Sequence, residues 1–337
     1  MVEKEQIKRI LNKITDNWMV KCPTISEMKG ILKGMSLDEQ YDGLIADDLL
    51  NPLEKEDFRS KKSLLSTLQS NLSDLKSQYD EDDDDVFNIK GQIELTENRI
   101  SNIEDELFQY GRRLIEGEKP RNPIPEIDKD TFKEDTQWGG ENGGAYEWEM
   151  SQGEVESKQI TLQKDSVNVD TSITEDGKYV DKRLLAMNNY FDGDTKKINY
   201  TISHEGYVKA LDNTQRQQMK DIDSLMSESS GLVQDTILYR GGHFDIHLRP
   251  GDHSSFKGYQ STSFQRFTSS VYLDETLSES MTFVIHAPKG TKGICGSDDR
   301  FYNNNWEHEY VLPRNTGYTV LNIDYENRIC EVVLDNP

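Results

Sequence analysis

The sequence has few cysteines and no long apolar run. Its three cysteines, Cys22, Cys295 and Cys330, lie far apart, and their spacing matches neither a disulfide framework nor a zinc motif. Such a pattern is typical of reduced thiols in a cytosolic protein. No segment is apolar over the length needed to cross a membrane, and the charged residues that follow Met1 do not form a signal peptide. We therefore expect a cytoplasmic protein with no membrane partner.

Positive charge is also scarce in this chain of 337 residues. Its 39 lysines and arginines are outnumbered by 62 aspartates and glutamates, which gives a formal net charge of -23. Surfaces that bind nucleic acids or anionic membranes broadly are basic, so this composition argues against both. The net charge does not exclude a local basic groove. An anionic ligand would need a specific arginine and backbone donors to overcome the acidic field.

The first 117 residues are predicted to be helical. Residues 1–55 carry apolar side chains at helical spacing, which indicates short helices. In residues 56–117, two stripes with alternating spacings of three and four predict an antiparallel coiled-coil hairpin. The stripes are Leu65, Leu68, Leu72, Leu75 and Tyr79, and, after the acidic run 80–85, Ile89, Ile93, Thr96, Ile100, Ile103, Leu107, Tyr110 and Leu114. Three roles stay open for the hairpin: binding a partner, self-association, or acting as a spacer.

Residues 118–177 are predicted to be a linker of irregular structure with short strands. Prolines and a glycine in 117–125 end the preceding helix and stiffen the chain. The glycine-rich stretch 139–144 lacks the lysine and the helix start of a phosphate-binding loop, so we interpret it as a flexible loop.

The pattern changes in residues 178–337. Three helical segments come first and a series of short β-prone runs follows, which predicts an α+β domain with an antiparallel core. The last two runs, 318–323 and 328–334, are separated by a turn and predict a terminal hairpin.

Two short motifs in this second half carry residues suited to binding chemistry. Arg240 ends an apolar strand, and the next two glycines, Gly241 and Gly242, let a ligand approach the backbone. An arginine fork suits phosphate groups. Hydroxyl side chains fill the strand 261–263. Taken singly, each motif has an ordinary explanation: an arginine in a salt bridge, and hydroxyls on a strand edge.

The third motif is a pair of carboxylates on one strand. Glu307 and Glu309 lie two residues apart at the start of an apolar run, so they share one face while His308 takes the other. A solvated strand edge is the ordinary explanation. The histidines, His243 and His286 included, suggest no set of ligands, so we expect no metal.

In this order and spacing, the three motifs resemble the Arg-Ser-Glu class of mono-ADP-ribosyltransferases. This class includes clostridial binary-toxin enzymes, Rho-modifying exoenzymes and phage-encoded transferases. The resemblance extends to residues 287–293 and 311–314 and to Tyr190 with Ile198 and Asn199, and it covers about residues 178–337. It implies a catalytic domain with the ADP-ribosyltransferase fold, which has two packed, mostly antiparallel sheets and amino-terminal helices. The lack of a signal peptide fits a bacterial or phage effector that acts in a cytosol, and delivery by a dedicated machine would leave the same pattern.

The resemblance implies that NAD is the co-substrate and that its nicotinamide–ribose bond is cleaved. Glu309 is then the carboxylate that stabilises the oxocarbenium-like transition state. Ser261 orients Glu309 and the ribose, whereas Thr262 and Ser263 are expected to be structural. Arg240 holds the pyrophosphate, and Gly241 lets NAD pack on the backbone.

The same resemblance implies roles for further residues. Phe264 or Phe267 is expected to stack on the nicotinamide, and Arg266 to reach a phosphate. The acceptor is expected to contact three aromatic side chains before the carboxylate pair: Phe301, Tyr302 and Trp306.

The residue type at position 307 indicates which chemical group accepts the ADP-ribose. Within the class, Glu-x-Glu is similar to enzymes that modify arginine, and Gln-x-Glu to enzymes that modify asparagine or cysteine. A second carboxylate can hold a guanidinium and take its proton, so arginine on a target protein is the leading prediction. The alternatives are ADP-ribosylation of RNA or DNA, aided by a basic patch near Arg314, hydrolysis of NAD, and a non-enzymatic binding module.

Overall fold

The computed structural model describes residues 24–79, 86–116, 123–132, 167, 170–174, 179–192, 196–202, 208–274, 276–277, 279–296 and 309–335. The chain divides into two compact units, Met1–Pro120 and Arg121–Pro337. The predicted segment borders near residues 55, 117 and 177 stay predictions.

The first unit consists of helices over its described residues. They are α1 (Ile25–Lys33), α2 (Leu37–Ala46), α3 (Pro52–Gln78) and α4 (Val86–Glu116). The first three helices each begin at a capping box, in which a side-chain oxygen accepts from a backbone N–H three residues on and a glutamate reaches back. The pairs are Thr24 with Glu27, Ser36 with Glu39, and Asn51 with Glu54.

Helices α3 and α4 lie antiparallel to each other. Tyr110 Oη donates to Asp57 Oδ2 at 2.6 Å, and Lys76 Nζ lies 2.8 Å from Glu97 Oε1. The earlier residue of α3 contacts the later residue of α4, and the later residue of α3 contacts the earlier one of α4. The two helices therefore run in opposite directions. Much of the predicted stripe is buried between the helices, namely Leu65, Leu68, Ile100, Ile103, Leu107, Tyr110 and Leu114. The coiled-coil geometry itself stays a prediction, and the acidic run 80–85 lies outside the described residues.

The second unit is mixed α and β. Its helices are α5 (Lys182–Phe191), α6 (Lys196–Tyr200), α7 (Asn213–Glu228) and α8 (Arg266–Val271). Its strands are β1 (Thr236–His243), β2 (His253–Phe256), β3 (Gln260–Ser263), β4 (Ser280–Ala287), β5 (Ile294–Cys295), β6 (Glu309–Leu312), β7 (Thr316–Asp324) and β8 (Ile329–Leu334). The predicted α+β class is confirmed, and β7 and β8 form the predicted terminal hairpin.

The eight strands form one sheet in the order β2-β7-β8-β4-β1-β3-β6-β5. All neighbours are antiparallel except β4 and β8, which are parallel. The two packed sheets that the resemblance implied are joined into this one sheet, because β1 pairs with strands on both sides. It pairs with β4 along its whole length but with β3 only at Tyr239 and Ser263. This narrow junction sets β3, β6 and β5 apart from the other strands.

Helices α5 and α7 cover the short strands beyond the junction. Leu184, Met187, Ile222 and Leu225 from the helices share one buried cluster with Tyr259, Ile294 and Val311 at the strands. Burying these apolar side chains contributes most of the local stability, at roughly 1.5–3 kcal/mol for each fully buried large side chain. The cluster therefore fixes α5 over β3 and β6.

Part of the predicted linker lies against the sheet. Lys129 Nζ lies 2.7 and 2.6 Å from the two carboxylate oxygens of Glu331 on β8. The ring of Phe132 meets the imidazole of His286 on β4 edge-on, with 4.9 Å between ring centroids. Residues 123–132 are thus tied to β4 and β8, whereas the glycine-rich stretch 139–144 lies outside the described residues.

Candidate active site

The pairing of β3 with β6 determines which predicted site residues share a face. Ser261 lies opposite Val311, and Ser263 lies opposite Glu309. Side chains at directly paired positions point to the same face, and the face alternates along each strand. Ser261, Ser263 and Glu309 therefore face the same side, and Thr262 faces the other.

Glu309 lies at the first position of β6, beside the end of α5. Its backbone carbonyl accepts from Gly296 N–H at 2.8 Å. A Cβ atom built on Gly296 would lie 3.3 Å from Glu309 Cβ and 3.0 Å from Phe191 Cε1. The glycine therefore leaves room where the carboxylate strand meets the helix, and Glu309 stays half-buried.

Tyr190 reaches the same face from α5. Its Oη lies 2.9 Å from Ser261 Oγ, and its ring contacts Tyr259 edge-on with 5.8 Å between centroids. Burial raises the pKa of the Tyr190 phenol, and the negative charge of Glu309 raises it further. Tyr190 is therefore a neutral phenol at physiological pH, able to donate or accept a hydrogen bond.

Arg240 lies on β1, the third strand that contributes a side chain to the site. Its Nη1 donates to the backbone carbonyl of Ser261 at 2.7 Å. Burial lowers the pKa of the Arg240 guanidinium, while Tyr190 and Glu309 act in the opposite direction. A guanidinium stays protonated in proteins, so Arg240 supplies a fixed positive charge within electrostatic reach of Glu309. The structure thus brings Arg240, Ser261 and Glu309 together, and their roles in binding and catalysis stay predictions.

Gly241 lies where β1 passes close to the backbone of α8. A Cβ atom built on it would lie 2.2 Å from Ser269 O and 3.1 Å from the carbonyl carbon of Tyr272. The backbone around α8 already fills this space. The glycine permits close packing of β1 against α8, and the packing of NAD on this backbone stays a prediction.

Phe264 does not fit the predicted stacking role. Its side chain is 1% exposed and packs on Tyr310 with 5.7 Å between ring centroids. By alternation along β3, it lies on the side away from Ser261 and Glu309. Arg266 is exposed at the start of α8, and its contact with a phosphate stays a prediction.

The predicted acceptor residues lie outside the described residues. These are Glu307, Phe301, Tyr302 and Trp306, and their roles stay predictions. The side chain of Phe267 is likewise not described.

Arg314 does not form the basic patch considered for nucleic acid. Its Nε and Nη2 bind both carboxylate oxygens of Asp223 on α7 at 2.8–3.0 Å. Asp223 also accepts from Tyr259 Oη at 2.7 Å. The arginine charge is therefore neutralised in a bidentate pair that fastens α7 to the end of β6.

The sequence motifs did not reveal the contact of Tyr190 with Ser261. The resemblance to the family includes Tyr190 and Asn199 only as parts of a helical region. Asn199 Nδ2 donates to Tyr259 O at 2.9 Å, which holds α6 to the residue before β3. Its Oδ1 is buried and has no hydrogen-bond partner among the described residues.

Metal and membrane features are missing from the part of the chain that the structure describes. No group of three or more His, Cys, Asp or Glu side chains there could hold a metal ion. None of its helices is both long enough and apolar enough to cross a bilayer.

Comparisons with known proteins identify relatives of this chain. The model of the ADP-ribosyltransferase exoenzyme family matches residues 136–336, which is more than half of the chain. The comparison with curated proteins found no match.

Several solved structures are similar to the chain. An ADP-ribosyltransferase from Clostridium botulinum is 21% identical, with 45% of this chain and 85% of that chain covered and a TM-score of 0.36. A protein from S. aureus, solved with NAD, is 20% identical, with 53% of this chain and 95% of that chain covered and a TM-score of 0.40. The Vis toxin, an ADP-ribosyltransferase from Vibrio splendidus, is 15% identical, with 55% and 88% covered and a TM-score of 0.38.

Proposed function

Because this chain belongs to the ADP-ribosyltransferase exoenzyme family and is an NAD-dependent ADP-ribosyltransferase, we propose that it transfers ADP-ribose to arginine on a target protein. The convergence of Arg240, Ser261 and Glu309 from three strands supports the catalytic part of this proposal. The acceptor part rests on Glu307, a carboxylate two residues before Glu309.

Arg240 binds the pyrophosphate of NAD. A guanidinium has five N–H donors in a planar fork, and the bond to Ser261 O uses one of the two on Nη1. The other donors suit phosphate oxygens. With a net charge of -23 on the whole chain, this fixed positive charge offsets the repulsion that a dinucleotide meets on approach.

Glu309 stabilises the charge that develops when the nicotinamide–ribose bond breaks. The bonding electrons leave with nicotinamide, so positive charge grows on the ribose. A fixed carboxylate in a half-buried site stabilises that charge more than water does, and one such preorganised group contributes roughly 3 kcal/mol. Ser261 and Tyr190 hold the ribose side of the substrate through the hydroxyl pair at 2.9 Å.

Glu307 prepares the acceptor. Its carboxylate holds the incoming guanidinium and takes the proton that leaves as the arginine nitrogen bonds to the ribose carbon. One carbon–nitrogen bond breaks and another forms, and no oxidant or metal takes part. Residues two apart in an extended strand share a face, which is why the sequence pattern predicts that Glu307 lies on the face of Glu309.

Labelled NAD tests the proposal. The protein is incubated with a cell lysate and NAD labelled in the ADP-ribose, and the product is digested with protease or with nuclease. Label on protease-sensitive material, together with transfer to the small guanidine agmatine, is the expected result. Label released by nuclease, or NAD consumed with no labelled acceptor, would rule out the arginine acceptor and favour the nucleic-acid or hydrolytic alternative.

A further inference from the structure

Residues 123–132, which we call the strap, are the first described part of the second unit, and they lie against its sheet. A 3-10 turn in the strap places Lys129 and Phe132 on one side, since side chains three residues apart are eclipsed in such a turn. The two side chains reach neighbouring strands. Lys129 contacts Glu331 on β8, and Phe132 contacts His286 on β4.

His286 and Lys129 share one carboxylate oxygen. Glu331 Oε1 lies 2.8 Å from His286 Nε2 and 2.7 Å from Lys129 Nζ. An ionised carboxylate only accepts hydrogen bonds, so Nε2 carries the ring hydrogen. The other ring nitrogen, Nδ1, is buried and has no hydrogen-bond partner among the described residues. The cluster therefore suits a neutral imidazole, because a second proton would find no acceptor and would place a positive charge beside Lys129.

The elements packed around His286 contribute few charges over the described residues. On β1 and β8 the residues paired with His286 are Ile237 and Val333, which are apolar. The charged group of β8 at the ring is Glu331. The strap contributes its charged side chains, Glu126, Asp128, Lys129 and Asp130. Of these, Lys129 reaches Glu331, so a protonated His286 meets it across a shared carboxylate.

We propose that the strap is a pH-sensitive clasp, which is docked while His286 is neutral and is released when His286 takes up a proton. Two cations then compete for Glu331, and the more exposed one leaves. The side chain of Lys129 is 56% exposed, and that of His286 is 3% exposed. Exposed ion pairs contribute little to stability, so the strap opens locally while the sheet stays folded. Release of the strap does not depend on the reaction proposed above.

Docking of the strap and protonation of His286 must affect each other equally. Burial lowers the pKa of His286, Glu331 acts in the opposite direction, and the charge of Lys129 lowers the pKa further. The strap supplies this lysine and covers the ring with Phe132, so its release raises the pKa of His286 toward the ordinary value of about 6.5. Docking is therefore strongest above that pH. It weakens as the pH falls, by up to about tenfold per pH unit for one proton.

Fluorine NMR of the full chain measures the docking. Phenylalanine is replaced by 4-fluorophenylalanine, and the signal of Phe132 is assigned by its loss in Phe132→Leu. A synthetic peptide of residues 121–134 gives the position of the signal in the released state. The imidazole titration of His286 is followed by nitrogen-15 NMR, with its signal assigned by its loss in His286→Gln.

Three variants separate the roles of the groups. His286→Gln removes the titrating group from the clasp. Lys129→Met removes the competing cation at an exposed position, where the substitution leaves the sheet intact. His253→Gln is the matched control, because it removes a histidine from β2, where the partner is Asp335.

We expect the Phe132 signal of the wild-type protein to move toward the peptide position between pH 7.5 and about 5, with the ratio of released to docked strap rising up to about tenfold per pH unit. His253→Gln should show the same movement, whereas the signal in His286→Gln should keep its position. The imidazole of His286 should titrate at higher pH in Lys129→Met. A wild-type signal that stays in place, or an equal movement in His286→Gln, would overturn the inference. An unchanged titration of His286 in Lys129→Met would overturn it as well.

Discussion

Tyr190 Oη lies 2.9 Å from Ser261 Oγ, although the two residues are 71 positions apart in the chain. The bond joins the end of α5 to β3, and β3 is paired with the strand that begins at Glu309. Helix α5 and strands β3 and β6 are therefore connected at this point. Removing the Tyr190 hydroxyl is expected to alter the position of the Ser261 side chain.

Tyr190→Phe removes this bond and keeps the ring. We expect KM for NAD to rise several-fold while the free energy of unfolding falls by only about 1 kcal/mol. Steady-state kinetics and urea unfolding measure the two effects. Tyr259→Phe is the control, because Tyr259 Oη binds Met219 O and Asp223 away from Ser261. It should lower stability and leave KM near the wild-type value, so an equal rise of KM in both variants would contradict a specific role for Tyr190.

Glu309→Gln tests the catalytic carboxylate. The substitution keeps the size of the side chain and removes its charge, so we expect NAD cleavage to fall roughly 100- to 1000-fold with little change in thermal unfolding. Glu326→Gln, in the turn between β7 and β8, changes the net charge equally and should leave cleavage unchanged. Wild-type cleavage in Glu309→Gln would remove the basis of the assigned mechanism.

Glu307→Gln separates acceptor recognition from NAD cleavage. If Glu307 holds the guanidinium and takes its proton, transfer to protein or agmatine should be lost while hydrolysis of NAD to ADP-ribose continues. Both products can be followed from one labelled NAD reaction by chromatography. An equal loss of transfer and hydrolysis would show that Glu307 acts on NAD itself.

Gly241→Ala tests the packing of β1 against α8. The new methyl group would lie 2.2 Å from Ser269 O, and overpacking of this kind costs about 1–3 kcal/mol. Gly242→Ala is the matched control, since its methyl group would lie 3.5 Å from its nearest neighbour, Arg240 Nε. Urea unfolding should show a clear loss of stability at position 241 and a smaller one at 242. The reverse order would mean that α8 does not pack as described.

His286 makes stability depend on pH. Burial lowers its pKa in the folded protein, although Glu331 at 2.8 Å acts in the opposite direction. As pH falls through about 6.5, the unfolded chain binds a proton at this site before the folded chain does. The free energy of unfolding therefore decreases until the pH lies below the folded-state pKa.

The measurement is the urea midpoint between pH 7.5 and roughly 5, where this titration falls. His286→Gln should flatten its decrease, because the titrating group is gone. His253→Gln, at a side chain that is 55% exposed, is the control for the loss of a histidine from the surface. The same slope in all three proteins would show that another group causes the decrease.

Much of the architecture follows from local patterns in the sequence. Apolar spacing of three and four predicts α3 and α4, and the capping boxes at Ser36 and Asn51 show why two of the helices begin where they do. Alternation along a strand predicts that Ser261 and Ser263 share a face, and the register adds Glu309 to it. These features depend on neighbours a few residues apart, so the order of amino acids is enough to predict them.

The sequence by itself determined the family, the use of NAD and the α+β class, because the Arg, Ser and Glu motifs occur in a characteristic order on predicted strands. Only the tertiary structure decided which partners those motifs meet. It joined the strands through one narrow pairing at Ser263, filled the space at Gly241 with α8, and neutralised Arg314 with Asp223. It also placed Tyr190 against Ser261. Such contacts join residues far apart in the chain, and packing of whole elements, rather than local periodicity, brings them together.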